Sequence, residues 1–258
     1  MLGTFEILKK RWPEVAVIIA LATIPQFLFG MAMRTILSKA GVEYGFTQSA
    51  NYLHSVLWLI IATILMIIKA GFLRTAYLHG TESHRIPTLL REGKHFFGRL
   101  LVFSIIWGLI YMLLPMVIVG MRARYMTLTD LATIVPWINT FCMITVTVAF
   151  MKLVLLVPAL VIVRDISLIH AVKSIREYKL FSAKELLILF GMQQALRFGY
   201  LLLNPLRGIN EIFYRSMSLA MTVVGYFLVI AIALSAVRFV AEKSLPIEAA
   251  EQNENNSA

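Results

Sequence analysis

The chain has 258 residues, of which 59% are hydrophobic and only 15% charged, with a mean hydropathy of +0.80. A soluble domain is roughly 25% charged and 45–50% apolar, so this composition excludes an ordinary soluble fold and points to a membrane protein. The net charge of +10 would suit a nucleic-acid binder, but with so few charges the polyanion within reach is the anionic face of a bilayer, and no nucleic-acid partner is expected.

Crossing the hydrocarbon core takes about 20 apolar residues at helical rise. Six segments qualify, at about 14–33, 53–73, 100–120, 134–163, 186–203 and 217–240. Lys9, Lys10 and Arg11 ahead of the first run resemble the start of a signal peptide. Pro13 and Glu14 intervene, however, and Arg34 follows without a small-x-small site, so the expectation is an uncleaved first span. The fourth run is too long for one perpendicular span. Either it tilts, or its start at Pro136-Trp137-Ile138-Asn139 lies in the interface, where Trp is enriched. The single cysteine, Cys142, lies in that run and reads as a small buried hydrophobe; one cysteine excludes an internal disulfide and any multi-cysteine metal site. Residues 1–245 read as one six-helix membrane domain and 246–258 as a disordered polar tail.

The basic residues set an orientation. Three precede the first span, five follow the second (Arg74, Arg85, Arg91, Lys94, Arg99), five follow the fourth (Arg164, Lys173, Arg176, Lys179, Lys184) and two lie at the C-terminal end (Arg238, Lys243). The other three loops carry two each. The excess predicts both termini in the cytoplasm, as six spans require.

One phrase is written twice. Residues 91–101 read REGKHFFGRLL, and residues 176–187 read REYKLFSAKELL. Each copy precedes an odd-numbered span on the cytoplasmic side. Positive-inside topology alone would place basic residues there, and the alternative is a basic amphipathic foot that orients the span after it. The second copy has the firmer pattern. Over 165–178, Ile166, Ile169, Val172 and Ile175 fall on one helical face, with Lys173, Arg176 and Lys179 on another and Asp165 placed as N-cap. Such a helix lies in the interface plane with its basic side among phosphates. In the first copy Pro87 opens a helix, Leu89 and Leu90 face lipid, and Arg91 and Lys94 are the interfacial cations.

The run Pro158-Ala159-Leu160-Val161-Ile162-Val163-Arg164-Asp165, followed by Ala171 and Ser174, resembles a signature of six-span bacterial membrane proteins of the poorly characterised YciC type. It is similar also to the membrane domain of some glycerophosphodiester phosphodiesterases, and residues 69–76 (KAGFLRTA) are similar to the matching second-span exit. The resemblance covers about residues 55–200. It implies six helices in a bacterial cytoplasmic (inner) membrane and carries no active site, because catalysis in the phosphodiesterases belongs to a separate soluble barrel.

The search for chemistry is mostly negative. No Asp or Glu lies within an apolar core, Glu14 being at the edge of the first span, and there is no phosphate loop, nucleophile elbow or His-Glu-x-x-His. No enzyme activity, cofactor or metal is expected. His79 and His84 are five apart, about 140° on a helix, with Gly80 between them, and read as loop residues without ligand spacing. Three cations lie inside spans. Lys69 is five residues from Arg74 and snorkels to the cytoplasmic interface, and Arg197, seven residues from Asn204, reaches the outer interface in the same way. Lys152 is twelve residues before Arg164, about 18 Å along a helix and near mid-membrane. Gln26, Asn139, Gln193 and Gln194 are its candidate neutral partners.

Two readings stay open for Lys152. With Arg197, Lys69, Gln193 and Gln194 it lines a cleft for an anionic lipid headgroup or another anion. Otherwise it is neutral, or bonded to glutamines within the bundle. The fold expected is an all-α polytopic bundle of six transmembrane helices with basic interfacial segments. The function expected is binding or moving an anionic lipid or other anion, or else a non-catalytic membrane scaffold whose protein partners the sequence does not name.

Overall fold

A computed structural model describes residues 3–39, 48–122, 128–203 and 211–255. Among them every regular element is helical, as a chain that must satisfy its backbone in lipid requires. Four helices are long and apolar enough to cross a membrane: Leu57–His79, Ile86–Ile118, Lys184–Leu203 and Phe213–Ser244. A fifth crossing forms if the bent pair Trp137–Ala149 and Met151–Arg164 counts as one span. The first expected span lies in a helix over Trp12–Lys39, of which Trp12–Pro25 is described as a shorter apolar helix.

The chain divides into two compact units, Met1–Phe97 and Gly98–Ala258. The first holds α1 (Thr4–Lys10), α2 (Trp12–Lys39), α3 (Gln48–His79) and the opening of α4 (Ile86–Arg122). α1 buries Thr4, Ile7 and Leu8 and stops at Arg11, whose N–H closes on the Ile7 carbonyl (2.9 Å). Pro13 follows in the first turn of α2, where a missing N–H leaves no bond unmade. α3 stops at Gly80, which takes φ +60°, a left-handed value that glycine adopts without penalty. Pro87 then sits in the first turn of α4.

Two glycines let α3 and α4 approach backbone to backbone. A Cβ on Gly71 would lie 1.9 Å from the Leu89 carbonyl oxygen, and one on Gly93 would lie 1.8 Å from that of Ile67. Small residues at a crossing give membrane helices the packing that hydrophobicity cannot supply in lipid. Leu89 is consequently buried against α3 and does not face lipid as expected. Gly93 belongs to the first copy of the repeated phrase, where the second copy has Tyr178.

The second unit holds the rest of α4, then α5 (Leu128–Ala149), α6 (Met151–Arg164), α7 (Leu168–Ser174), α8 (Lys184–Leu203) and α9 (Glu211–Asn255). The long fourth run is not one straight helix: it breaks by 64° at Phe150. One turn earlier, Thr147 Oγ1 donates back to the Met143 carbonyl (2.6 Å), a bond that bends helices. α6 buries every residue of 155–163 except Pro158 and packs against α9, which also lies along α8. α9 stays helical to Asn255, through most of the segment read as a disordered tail.

Asp165 takes a different role from the one expected. It ends α6 in the left-handed conformation (φ 53°), which Asp tolerates better than most residues, and pairs with Arg99 (2.6 Å). The N-cap of α7 is Ser167, which accepts from the His170 N–H (3.4 Å). The helix expected over 165–178 is therefore shorter, with 3-10 turns at Ile175–Glu177 and Leu180–Ser182. Ala171, Ile175, Tyr178 and Leu180 face inward, while Ile169, Val172 and Phe181 stay exposed.

The close crossing of α3 and α4 predicts a sharp contrast between two glycines of α4. Gly93→Val should lower stability by at least about 1–3 kcal/mol, the usual range for overpacking, because only backbone movement can make room. Gly98→Ala, where a Cβ meets nothing, should be neutral or raise stability by up to about 1 kcal/mol through helix propensity. Denaturant unfolding in detergent, followed by helical circular dichroism, checks both.

Candidate functional site

The second unit carries a polar cluster inside otherwise apolar helices. Phe103, Trp107 and Tyr111 recur at four-residue spacing along one face of α4. Trp107 packs edge-on against Phe150 at the break (centroids 5.9 Å). On the other side of α4, Ile105, Ile106, Leu109, Met112 and Met116 are exposed, as lipid-facing residues would be. Tyr111 is hydrogen-bonded to the buried Thr147 of α5. The Arg197 guanidinium of α8 donates to Thr147 Oγ1 (3.3 Å) and to Gln194 Oε1 (3.4 Å), one turn back on its own helix.

Hydrogen-bond accounting shows what this cluster lacks. The Thr147 hydroxyl proton goes to the Met143 carbonyl, so Thr147 can only accept from Tyr111 and Arg197, and its two lone pairs are then used. Gln194 Oε1 is taken by Arg197. Gln194 Nε2 and the Trp107 indole N–H are buried donors with no acceptor among the described residues. Among those residues no carboxylate pairs with Arg197, and its Nε and second terminal nitrogen find no acceptor. Buried donors without partners each cost on the order of 1–3 kcal/mol, more for a charge. The cluster therefore holds a surplus of donors and one positive charge.

The other residues singled out from the sequence fall in different places. Arg197 has its partners on α5, at Thr147, and one turn back on α8, at Gln194. Lys152 bonds to neither Gln193 nor Gln194. It sits two residues past the break, and its Nζ points to the Ile175 carbonyl at 3.5 Å, at the end of the α7 segment. The twelve residues from Lys152 to Arg164 all lie in α6, past the 64° bend. Gln193 is half-buried and makes no hydrogen bond among the described residues. Asn139 is exposed, and the Gln26 side chain lies outside the described residues. Lys69 belongs to the first unit and is half-buried on α3. Lys152 and Arg197 share the second unit but no partner.

Of the interfacial cations, Lys173, Arg176 and Lys179 are exposed beside Ile169, Val172 and Phe181, and Arg91 and Lys94 are exposed on α4. The two copies of the phrase are not built alike. The first lies within one continuous helix, and the second spans two 3-10 turns and the start of α8. Their shared phenylalanine is buried as Phe96 and 84% exposed as Phe181.

In the first unit lies a charged pair that charge counting hides. Arg11 is fully buried: Nε lies 3.1 Å from both Glu14 carboxylate oxygens, and a terminal nitrogen bonds Glu14 and also Thr75 Oγ1 (2.8 Å). The guanidinium stacks 4.6 Å over the Phe72 ring, and Glu14 Oε1 accepts from the His84 N–H at 2.7 Å. The signal available in the sequence was Arg-x-x-Glu at a helix start, an i,i+3 pair of opposite charge.

No protein-family model, no curated protein and no solved structure matches the chain.

The buried pair yields a double-mutant test. Glu14→Gln leaves the Arg11 charge in the interior with its carboxylate gone and should cost about 3–5 kcal/mol. Arg11→Met with Glu14→Leu together should cost clearly less than the sum of the single changes. Denaturant titrations of the four proteins in one detergent measure the coupling.

Proposed function

We propose that this is a non-catalytic integral membrane protein that binds an anionic group, the phosphate of a lipid headgroup or a small free anion, at the Arg197 cluster. One observation carries the reading: within apolar helices, Arg197, Gln194 Nε2 and Trp107 Nε1 supply donors that no acceptor among the described residues uses. A phosphate or carboxylate offers several acceptor oxygens and the opposite charge, so it answers both deficits at once. The binding centre moves from Lys152 to Arg197, because Lys152 is engaged with the Ile175 carbonyl.

Six spans, both termini in the cytoplasm of a bacterium and a place among the YciC-type proteins belong to this proposal. Exposed Ile169, Val172 and Phe181 beside exposed Lys173, Arg176 and Lys179 support the expected contact of the α7 segment with an anionic leaflet. Each cation near such a surface contributes about 1 kcal/mol.

Native mass spectrometry of the protein purified from membrane extracts tests the proposal. Wild type should retain an anionic phospholipid, and Arg197→Met should lose it while Lys152→Met keeps it. Retention that vanishes on adding millimolar inorganic phosphate would assign the site to a free anion. Equal retention by wild type and Arg197→Met would overturn the reading.

A further inference from the structure

The turn that joins α3 to α4 brings together three side chains that the sequence spacing sets apart. His79 closes α3, Gly80 reverses the chain at φ +60°, and Glu82 and His84 follow in the loop. One ligand-type atom from each of His79, Glu82 and His84 lies within 4.8 Å of the others. The helical angle that would separate the two histidines does not apply once Gly80 has ended the helix. Their rings come to 4.9 Å between centroids, tilted by 36°.

We propose that His79, Glu82 and His84 form a binding site for a borderline divalent transition-metal ion of the Zn²⁺ type. Two imidazoles and one carboxylate are a donor set that such ions accept, with the remaining positions left to water. Ligand bonds of about 2.0–2.2 Å in tetrahedral geometry set the ligand atoms roughly 3.4 Å apart. The side chains must therefore close by about 1.5 Å at most, a rotamer adjustment for residues of which two are exposed.

The surroundings hold the set in place. The His84 N–H is fixed to Glu14 Oε1 (2.7 Å), and Glu14 is itself clamped by buried Arg11. His84 Nδ1 lies 3.0 Å from the Glu82 carbonyl oxygen. With Nδ1 donating there, the Nε2 lone pair is free, the arrangement that orients metal-binding histidines elsewhere. Glu82 makes no ion pair among the described residues, so its carboxylate stands beside two imidazoles with its charge unmatched. Arg11, Glu14 and the three ligands all belong to the first unit.

The test uses the full, untagged chain in detergent with Co²⁺ as probe, read by its visible d–d absorption and by calorimetry. Wild type should bind one equivalent of Co²⁺ that Zn²⁺ displaces. Glu82→Gln should weaken binding by more than about tenfold, since even the loss of an outer contact to a metal ligand costs about 10–100-fold. His79→Ala with His84→Ala should abolish binding with unchanged helical circular dichroism. One equivalent bound with wild-type affinity by the double variant, or no Co²⁺ bound by wild type, would overturn the proposal. Arg197→Met should bind Co²⁺ like wild type, so the metal site and the anion site stand or fall separately.

Discussion

Inside a bilayer every N–H and every charge must find its acceptor in the protein, because no water is there to supply one. The chain meets that requirement in two ways. Arg11 is paired: carboxylate, hydroxyl and aromatic face contact its guanidinium, with Nη1 buried and without a hydrogen bond among the described residues, and Glu14 passes the connection on to the His84 backbone. Arg197 is open, with two neutral oxygens for a group that carries five N–H donors. The same residue type is thus paired with a carboxylate in one unit and held by neutral oxygens alone in the other. The difference is whether a carboxylate sits one turn away.

Hydrophobic burial cannot order helices whose surroundings are equally apolar, so shape does. In the first unit the shape is the mutual notch of Gly71 and Gly93, which admits the backbone of the facing helix. In the second it is the break at Phe150, which turns α6 inward along α9 and leaves Thr147 beside Tyr111 and Arg197. Ion pairs then fasten the ends of the helices: Arg99 with Asp165, Arg164 with Glu177, Arg238 with Glu185. All three pairs are partly exposed. They set direction more than stability, since exposed pairs contribute at most about 1 kcal/mol each.

Hydropathy made most of the helices legible, because a run of about 20 apolar residues has few other uses. The second, third, fifth and sixth runs each lie in a helix able to cross. Periodicity served less well where packing chose the inner face. The helical period groups Ile175 with Ile169 and Val172, yet it turns inward with Ala171 while the other two stay exposed. Asp165 reads as an N-cap in sequence because its left-handed φ is a tertiary outcome, set by the chain turning from α6 into α7. The site was half legible. Arg197 and Gln194 stand out as polar residues in an apolar run, but Thr147 and Tyr111 look like ordinary span residues until the fold sets Thr147 against Arg197 and Tyr111 against Thr147. His79 and His84 are legible as a loop pair around Gly80, but nothing in their spacing shows that the turn gathers them with Glu82.

The break at Phe150 has a mechanical consequence. The Phe150 N–H still reaches the Val146 carbonyl (3.0 Å), and the Phe150 carbonyl still receives the Val154 N–H (3.0 Å). Between them the N–H groups of Met151, Lys152 and Leu153 make no bond to the carbonyls four residues earlier, so the backbone ladder opens at the bend, with Thr147 bonding back along α5 and Trp107 lying against Phe150. Those side chains are also members or immediate neighbours of the Arg197 cluster. The bend and the cluster share Thr147, which bonds back to Met143 and is bonded by Tyr111 and Arg197. A change in the angle of the bend would move Thr147 and with it the contacts that it makes with Tyr111 and Arg197.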